Sequence, residues 1–381
     1  MTRAARQQNE ARQEALAKTN PLFGPRKLKL GTFCTNVGGA ACMSTMEGVY
    51  EATWPNVTAT ARLADDMQFE AIVPLGRWQG FGGVTKFNEQ VYEAMTFSAA
   101  VTAITRAPSV FATIHVPTLH PVLAAKQATT IDHVGHGRFT LNVVTGWNKA
   151  EIELFGSPLL DHAERYVMAD EWITLVKLLW TSDELFDFEG KYYSIRSACL
   201  KPRPIQPYPA LMNASGSAVG KAFAAKHFDI AFSGPTKPDP ASIRQQMDAH
   251  RNYAHQEFQR DLKVWMTAYM IIGDTEADAR RQFEYCVHEK GDRVAAKNFM
   301  DGMGIASQSI PPDIMKRIGD DMIAGYGGFA LVGTKEKVAS ELQMLAENGV
   351  DGVLLTWPAF IDGMTRFKEE VLPLLAQAGL R

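Results

Sequence analysis

The run from 124 to 147 constrains the fold more than any other stretch of this chain. Ala125, Ala128 and Ile131 recur at helical spacing up to His133. A Gly-His-Gly-Arg turn follows, and FTLNVV then reads as a buried strand that breaks at a polar Asn142 and a Thr145-Gly146-Trp147 turn. Helix, short turn, strand and polar loop in that order is the grammar of a parallel α/β protein. Strand-type runs recur at 28–35, 70–75, 109–115, 139–147, 211–214, 229–233, 264–272 and 352–357, each followed by helical sequence, which predicts a (β/α)8 TIM barrel. The site of such a barrel lies at the C-terminal ends of its strands, so Asn142 and the Thr145-Gly146-Trp147 turn are the first candidates. An Asn that pins a loop and a Trp that fills the barrel mouth would leave the same trace.

The 381 residues suit one barrel over 28–381 with an arm at 1–27. The arm reads as a short polar helix followed by Asn20-Pro21 and Gly24-Pro25, either a solvated tail or a strap across a neighbouring subunit. Two insertions are expected. One, near 181–210, holds a hairpin over 186–193 turning at Glu189-Gly190 and a proline-rich run from Lys201 to Pro209 that fits neither helix nor central strand. The other, near 290–327, is rich in Gly, Met and Asp and ends before Val332-Gly333-Thr334, which reads as the lead into a helix. Residues 36–50 form a long loop, and a loop of that length in a packed domain is expected to have work to do.

Several function classes are excluded. A net charge of −3 makes no case for nucleic acid or an anionic membrane. Four cysteines without CxxC spacing suggest neither a zinc site nor a disulfide framework. No apolar run reaches membrane-spanning length and the first residues are polar, so a cytoplasmic protein is expected. The glycine-rich loop 76–83 lacks GxGxxG spacing, which removes support for a dinucleotide fold, and an arginine such as Arg77 in such a loop more often caps or pairs than binds a ligand. Arg165 and Tyr166 open the helix over 162–180 and could grip a phosphate; an ion pair of Arg165 with Glu164 or Asp161 is the alternative. The Ser215-Gly216-Ser217 turn offers N–H groups and hydroxyls to the same kind of group. His115 and His120 follow the strand that carries Thr113, and lone histidines in such places are usually structural.

The motifs IDHVGHGRFTLNVVTGW, ERY, GKYYSI followed by KPRPIQP, and LVGTKEKVASEL with VDGVLLTW together resemble the bacterial luciferase-like flavin-dependent monooxygenases from about residue 28 onward. The VTGW turn is similar to the pyrimidine and dimethylsulfone monooxygenase branch, and GFGG at Gly80 to Gly83 to its pyrimidine side. The resemblance implies a two-component enzyme that takes reduced FMN from a separate NAD(P)H-dependent flavin reductase and uses O2. It would oxygenate or cleave an amide or pyrimidine, a sulfone or a halogenated ring, through a flavin N5-oxide or peroxide. A homodimer or homotetramer without a metal is expected.

Carried over by resemblance, Gly76, Arg77, Asn142, Glu151, Arg165, Tyr166 and Ser217 contact the flavin, although the first pair is usually an apolar residue and Lys in that branch. Thr113 and Asn142 face the N5 edge as the catalytic pair, and Val73, Leu75 and Thr113 line the oxygen pocket. The loop 36–50, with Gly38-Gly39 and Cys42-Met43, and the segment 290–327 depart from the branch and are expected to flank the mouth and set the substrate. The rivals are a deazaflavin-dependent hydride-transfer enzyme on the same barrel and a flavin-binding barrel without catalysis.

Overall fold

Helix α1 (Arg3–Thr19) precedes β1 (Lys29–Phe33), α2 (Trp54–Asp66), β2 (Ala71–Val73), α3 (Ala94–Ile104), β3 (Ser109–His115), α4 (Pro121–Val134) and β4 (Phe139–Val144) in the computed structural model, which describes residues 3–214, 216–305 and 310–381. The chain continues through α5 (Lys149–Leu154), α6 (His162–Thr181), the hairpin β5 (Phe186–Glu189) and β6 (Ser194–Ala198), β7 (Ala210–Ala214), α7 (Ala218–His227), β8 (Ile230–Phe232) and α8 (Pro240–Phe258). After β9 (Lys263–Ile272) come α9 (Glu276–Glu284), α10 (Arg293–Gly302), α11 (Pro312–Gly325), β10 (Phe329–Gly333), α12 (Lys335–Glu347), β11 (Gly352–Thr356), α13 (Phe360–Arg366) and α14 (Leu372–Gln377). Strands β1, β2, β3, β4, β7, β8, β9 and β11 run parallel and close into the expected barrel through the β8–β9 and β9–β11 pairings.

Strand alternation aims the site. Phe139, Leu141 and Val143 of β4 pack outward with Ala124, Ala125, Ala128 and Ile131 of α4 and with Trp172 and Val176 of α6. The small alanines let α4 approach the sheet closely, and each fully buried large side chain in that layer stabilises the fold by about 1.5–3 kcal/mol. Because successive side chains alternate, Thr140 and Asn142 point the other way, into the barrel. On β3 the outward residues are Ala112 and Ile114, so Thr113 and His115 also point inward, and β3–β4 pairing puts Thr113 beside Asn142 in register.

Three local expectations change. Val332 and Gly333 end a ninth parallel strand, β10, before Thr334 caps α12 as the expected lead into a helix. Strand β9 pairs with β8 over Lys263–Trp265 and with β10 over Ala268–Ile272, so β10 takes over the same edge where β8 ends. The hairpin returns over Ser194–Ala198, later than expected, because Glu171 of α6 accepts the N–H groups of Lys191, Tyr192 and Tyr193 and holds the turn. The N-terminal arm lies on its own barrel. Arg12 donates to both oxygens of buried Asp229, at 2.5 and 2.9 Å, and stacks on Tyr208. Among the described residues no helix is long and apolar enough to cross a membrane.

Candidate active site

The inward pair at the C-terminal ends of β3 and β4 is a hydrogen-bonded unit. Thr113 donates its hydroxyl proton to the Pro74 carbonyl at 2.6 Å and accepts from Asn142 Nδ2 at 3.1 Å. A hydroxyl has one proton, so with that proton on Pro74 the amide must turn its nitrogen to Thr113. Asn142 Oδ1 is then left buried with no partner among the described residues. Thr113 is thus occupied as a donor, and the group it presents to the mouth is the fixed amide of Asn142.

Val73 and Leu75 flank Pro74 and are buried. Asn36, which the sequence reading did not single out, clamps that segment: it accepts from Leu75 N at 2.8 Å and donates to Leu75 O and Tyr92 O at 2.9 Å. At Gly76 the chain crosses β3 so closely that a Cβ would stand 2.7 Å from Thr113 O, so any side chain there would force the strands apart.

Arg77 and Glu151 come together as a buried ion pair, which is the pairing role expected of an arginine in that loop. Arg77 Nη1 lies 3.0 Å from Glu151 Oε1, and the same oxygen accepts from Trp78 N at 2.8 Å and Gln79 N at 3.2 Å. Arg77 Nη2 also donates to Tyr326 Oη at 3.3 Å, and the guanidinium sits over the rings of Phe81 and Trp147. His115 Nδ1 lies 3.9 Å from Glu151 Oε2, and neither atom has a hydrogen-bond partner among the described residues. Burial pulls the His115 pKa down to about 4, against the attraction of Glu151, so the imidazole is neutral at ordinary pH. Burial likewise raises Tyr326 to about 12. Tyr326 ends α11 in a left-handed conformation, φ 62°, with its N–H donating to Met322 O at 3.1 Å. His120 instead caps α4 through Nδ1, a structural role.

A third group lies at the start of α6 and α7. Arg165 donates to the Gly146 carbonyl in the Thr-Gly-Trp turn. Glu164 is taken up by Lys191 and Tyr192 of the hairpin, so the alternative pairing of Arg165 with Glu164 is not formed. The hydroxyls of Tyr166 and Ser217 are 3.5 Å apart, and Ser217 caps α7 by accepting from Gly220 N at 3.1 Å. Two hydroxyls at a helix N-terminus can hold a phosphate. Ser215 lies outside the described residues.

The two divergent segments are stitched to each other and to the glycine-rich loop. Met43 N donates to Ile323 O, Asp292 N to Met43 O and Thr45 N to Lys290 O, all within 2.9 Å. Asp292 accepts from Thr85 N and Thr85 Oγ1 at 2.8 Å and caps α10, and Asn298 donates to Phe81 O at 2.8 Å. Gly83, at φ 76°, is needed there because a Cβ would stand 2.2 Å from the Asp292 carboxylate. A cavity of about 350 Å³ reaches Gly76, Arg77, Thr113 and His115, with Ala94, Leu123 and Gln127 on its helical wall. A larger one of about 620 Å³, between α6 and α7, shares only Tyr166 with the groups above and is lined mainly by apolar side chains.

A sequence model of the luciferase-like monooxygenases matches residues 28–352. The chain belongs to the luciferase-like monooxygenase family. Relatives in this family include the pyrimidine monooxygenase RutA of Klebsiella pneumoniae, 28% identical over 357 residues that cover 91% of this chain and 96% of that protein. The FMNH(2)-dependent dimethylsulfone monooxygenase of Pseudomonas putida is 30% identical over 357 residues, covering 92% and 96%. The solved structure of EDTA monooxygenase EmoA from Chelativorans sp. BNC1 shares the fold with a TM-score of 0.78 at 21% identity, covering 93% of this chain and 95% of that one. As a luciferase-like monooxygenase the chain is a flavin-dependent enzyme. The site's chemistry fits that group: an unpartnered buried amide oxygen among the described residues, a glycine that lets the chain lie directly on β3, and paired hydroxyls at a helix N-terminus.

Proposed function

We propose that the chain is the oxygenase of a two-component system, taking reduced FMN from a separate NAD(P)H-dependent flavin reductase and using O2 to oxygenate or cleave a small organic substrate. The substrate class is an amide or pyrimidine, a sulfone or a halogenated ring. The observation that carries this reading is the amide of Asn142, fixed by Thr113 with its Oδ1 buried and unpartnered. Reduced flavin carries an N5–H that oxidised flavin lacks, so a fixed acceptor favours the reduced form.

When bound, the flavin supplies electrons and activates dioxygen; the chain's own groups bind, orient and keep water away. Asn142 orients the ring edge, with Thr113 as its positioning residue. Val73 and Leu75 offer an apolar wall that excludes water where oxygen would dock. Arg165, Tyr166 and Ser217, with the N-terminus of α7, hold the phosphate. Arg77 and Glu151 neutralise each other, so they brace the mouth without adding net charge. A neutral His115 beside them is not an imidazolium acid at ordinary pH.

The test is anaerobic loading with reduced FMN, mixing with isotopically labelled dioxygen and a panel of the named substrate classes, and product mass. The expected result is one labelled oxygen atom in the product, the other leaving as water. Retention of a deazaflavin with hydride transfer in the absence of oxygen would overturn the reading in favour of a reductase. Tight flavin binding without turnover across the panel would favour a non-catalytic barrel.

A further inference from the structure

Cys42 and Cys286 are 244 positions apart in the chain, yet their sulfurs lie 3.7 Å from each other and both side chains are buried. Cys42 sits in the loop after β1, and Cys286 in the π turn Tyr285–Glu289 that extends α9. π turns are rare insertions that occur frequently at functional positions. The backbone around the two sulfurs is fixed on both sides. Ser44 Oγ donates to Cys286 O at 2.9 Å, Ser44 bridges Gly291, and Met43 is held by Ile323 and Asp292.

The pair is chemically asymmetric. The hydrogen bond between the two sulfurs draws the Cys286 thiol below its ordinary range, while that bond and burial push Cys42 well above it. That is the division between an attacking and a resolving cysteine. Cys286 also lines a cavity of about 190 Å³ together with Met46, Met270, Gln282 and Arg366. A water molecule takes up about 30 Å³, so a hydroperoxide of two heavy atoms fits. Among the described residues neither Cys34 nor Cys199 makes a hydrogen bond to another cysteine sulfur.

We propose that Cys42 and Cys286 form a modification site, a thiol pair that hydrogen peroxide closes reversibly into a disulfide linking the loop after β1 to the π turn. Cys286 gives up its proton, its thiolate attacks one peroxide oxygen and the O–O bond breaks, and the departing hydroxide takes up that proton, giving a sulfenic acid and one water. The Cys42 sulfur then attacks the Cys286 sulfur, the S–O bond breaks, and the oxygen leaves with the Cys42 proton as a second water. Two thiols and one peroxide thus become one disulfide and two waters; an external dithiol reverses the change. The inference holds whatever substrate the flavin site serves, because the oxidant can be supplied from outside.

The test uses the full chain, freed of reductant, exposed to hydrogen peroxide, alkylated under denaturing conditions and mapped by peptide mass. The expected result is a Cys42–Cys286 linked peptide that dithiothreitol abolishes, with Cys34 and Cys199 alkylated. Backbone hydrogen exchange over 42–46 should slow by about tenfold or more in the oxidised form and recover on reduction. In a Cys42→Ala variant Cys286 should stop at the sulfenic acid and be trapped by dimedone. Absence of the linked peptide overturns the proposal, whether or not sulfoxide at Met46 shows that peroxide reached the cavity. Linkage through Cys199, or Cys286 oxidised to sulfinic acid beside a free Cys42, overturns it equally.

Discussion

Thr113→Val keeps the shape of the side chain but removes the hydroxyl that joins β3, the Pro74 segment and Asn142. Two contacts are lost, the 2.6 Å bond to Pro74 O and the 3.1 Å bond from Asn142 Nδ2. Each ordinary hydrogen bond contributes about 0.5–1.5 kcal/mol net, so the expected loss of stability is about 2–3 kcal/mol once the buried amide also lacks its acceptor. The functional effect follows from the same geometry. Without Thr113 the amide is free to turn, and a fixed Oδ1 no longer selects for a ring N–H. The preference for reduced over oxidised FMN should therefore fall by up to about tenfold, the equivalent of ~1.4 kcal/mol. Urea unfolding followed by tryptophan fluorescence reads the first effect, and paired anaerobic titrations with the two redox forms of FMN read the second. Thr113→Ser should restore both in large part. If the Val variant matches the parent within about 0.5 kcal/mol and keeps its redox preference, Thr113 does not position Asn142 and the reasoning fails.

The remaining predictions concern the groups around that pair. Arg165→Ala should weaken FMN binding by about 1.5–3 kcal/mol, and an unchanged dissociation constant would reject the phosphate role. Arg77→Met should destabilise the fold by about 3–5 kcal/mol, because it leaves Glu151 buried without its cation; adding Glu151→Leu should recover much of this in a double-mutant cycle, and additive losses would count against the pair. His115 takes up its proton only near pH 4 in the folded chain but near 6.5 when unfolded. The unfolded chain therefore binds more protons between those values, so stability rises with pH across that window and acid removes ~3 kcal/mol through this group. Urea midpoints from pH 4.5 to 7 should show a shallower slope in His115→Gln than in the parent, and equal slopes would refute the assignment.

Much of this protein was legible along the chain because its information is local. Periodicity and punctuation predicted eight parallel strands, and β4 was recognisable from its apolar run and its break at Asn142. The family motifs are likewise contiguous, so the resemblance to luciferase-like monooxygenases needed no coordinates. β10 escaped because FALVG is ambiguous by itself, and only its pairing with the far half of β9 makes it a strand. The roles of individual groups were less legible still. Arg77 and Glu151 were both expected at the site, but that they neutralise each other depends on the glycine-rich loop meeting α5, 74 positions further along the chain.

Asn36 and Tyr326 carry no signal in sequence, since each acts through a partner 39 to 249 residues away. The same holds for Cys42 and Cys286: their spacing argued against any framework, and only the packing of the loop after β1 against the π turn brings the sulfurs together. The sequence by itself determined the barrel, the family and which strand ends bear polar groups, because strand alternation and helical spacing are set by neighbours a few residues apart. Which donor meets which acceptor was decided by the tertiary structure alone, because a hydroxyl has one proton to give and only the fold says that Thr113 gives it to Pro74.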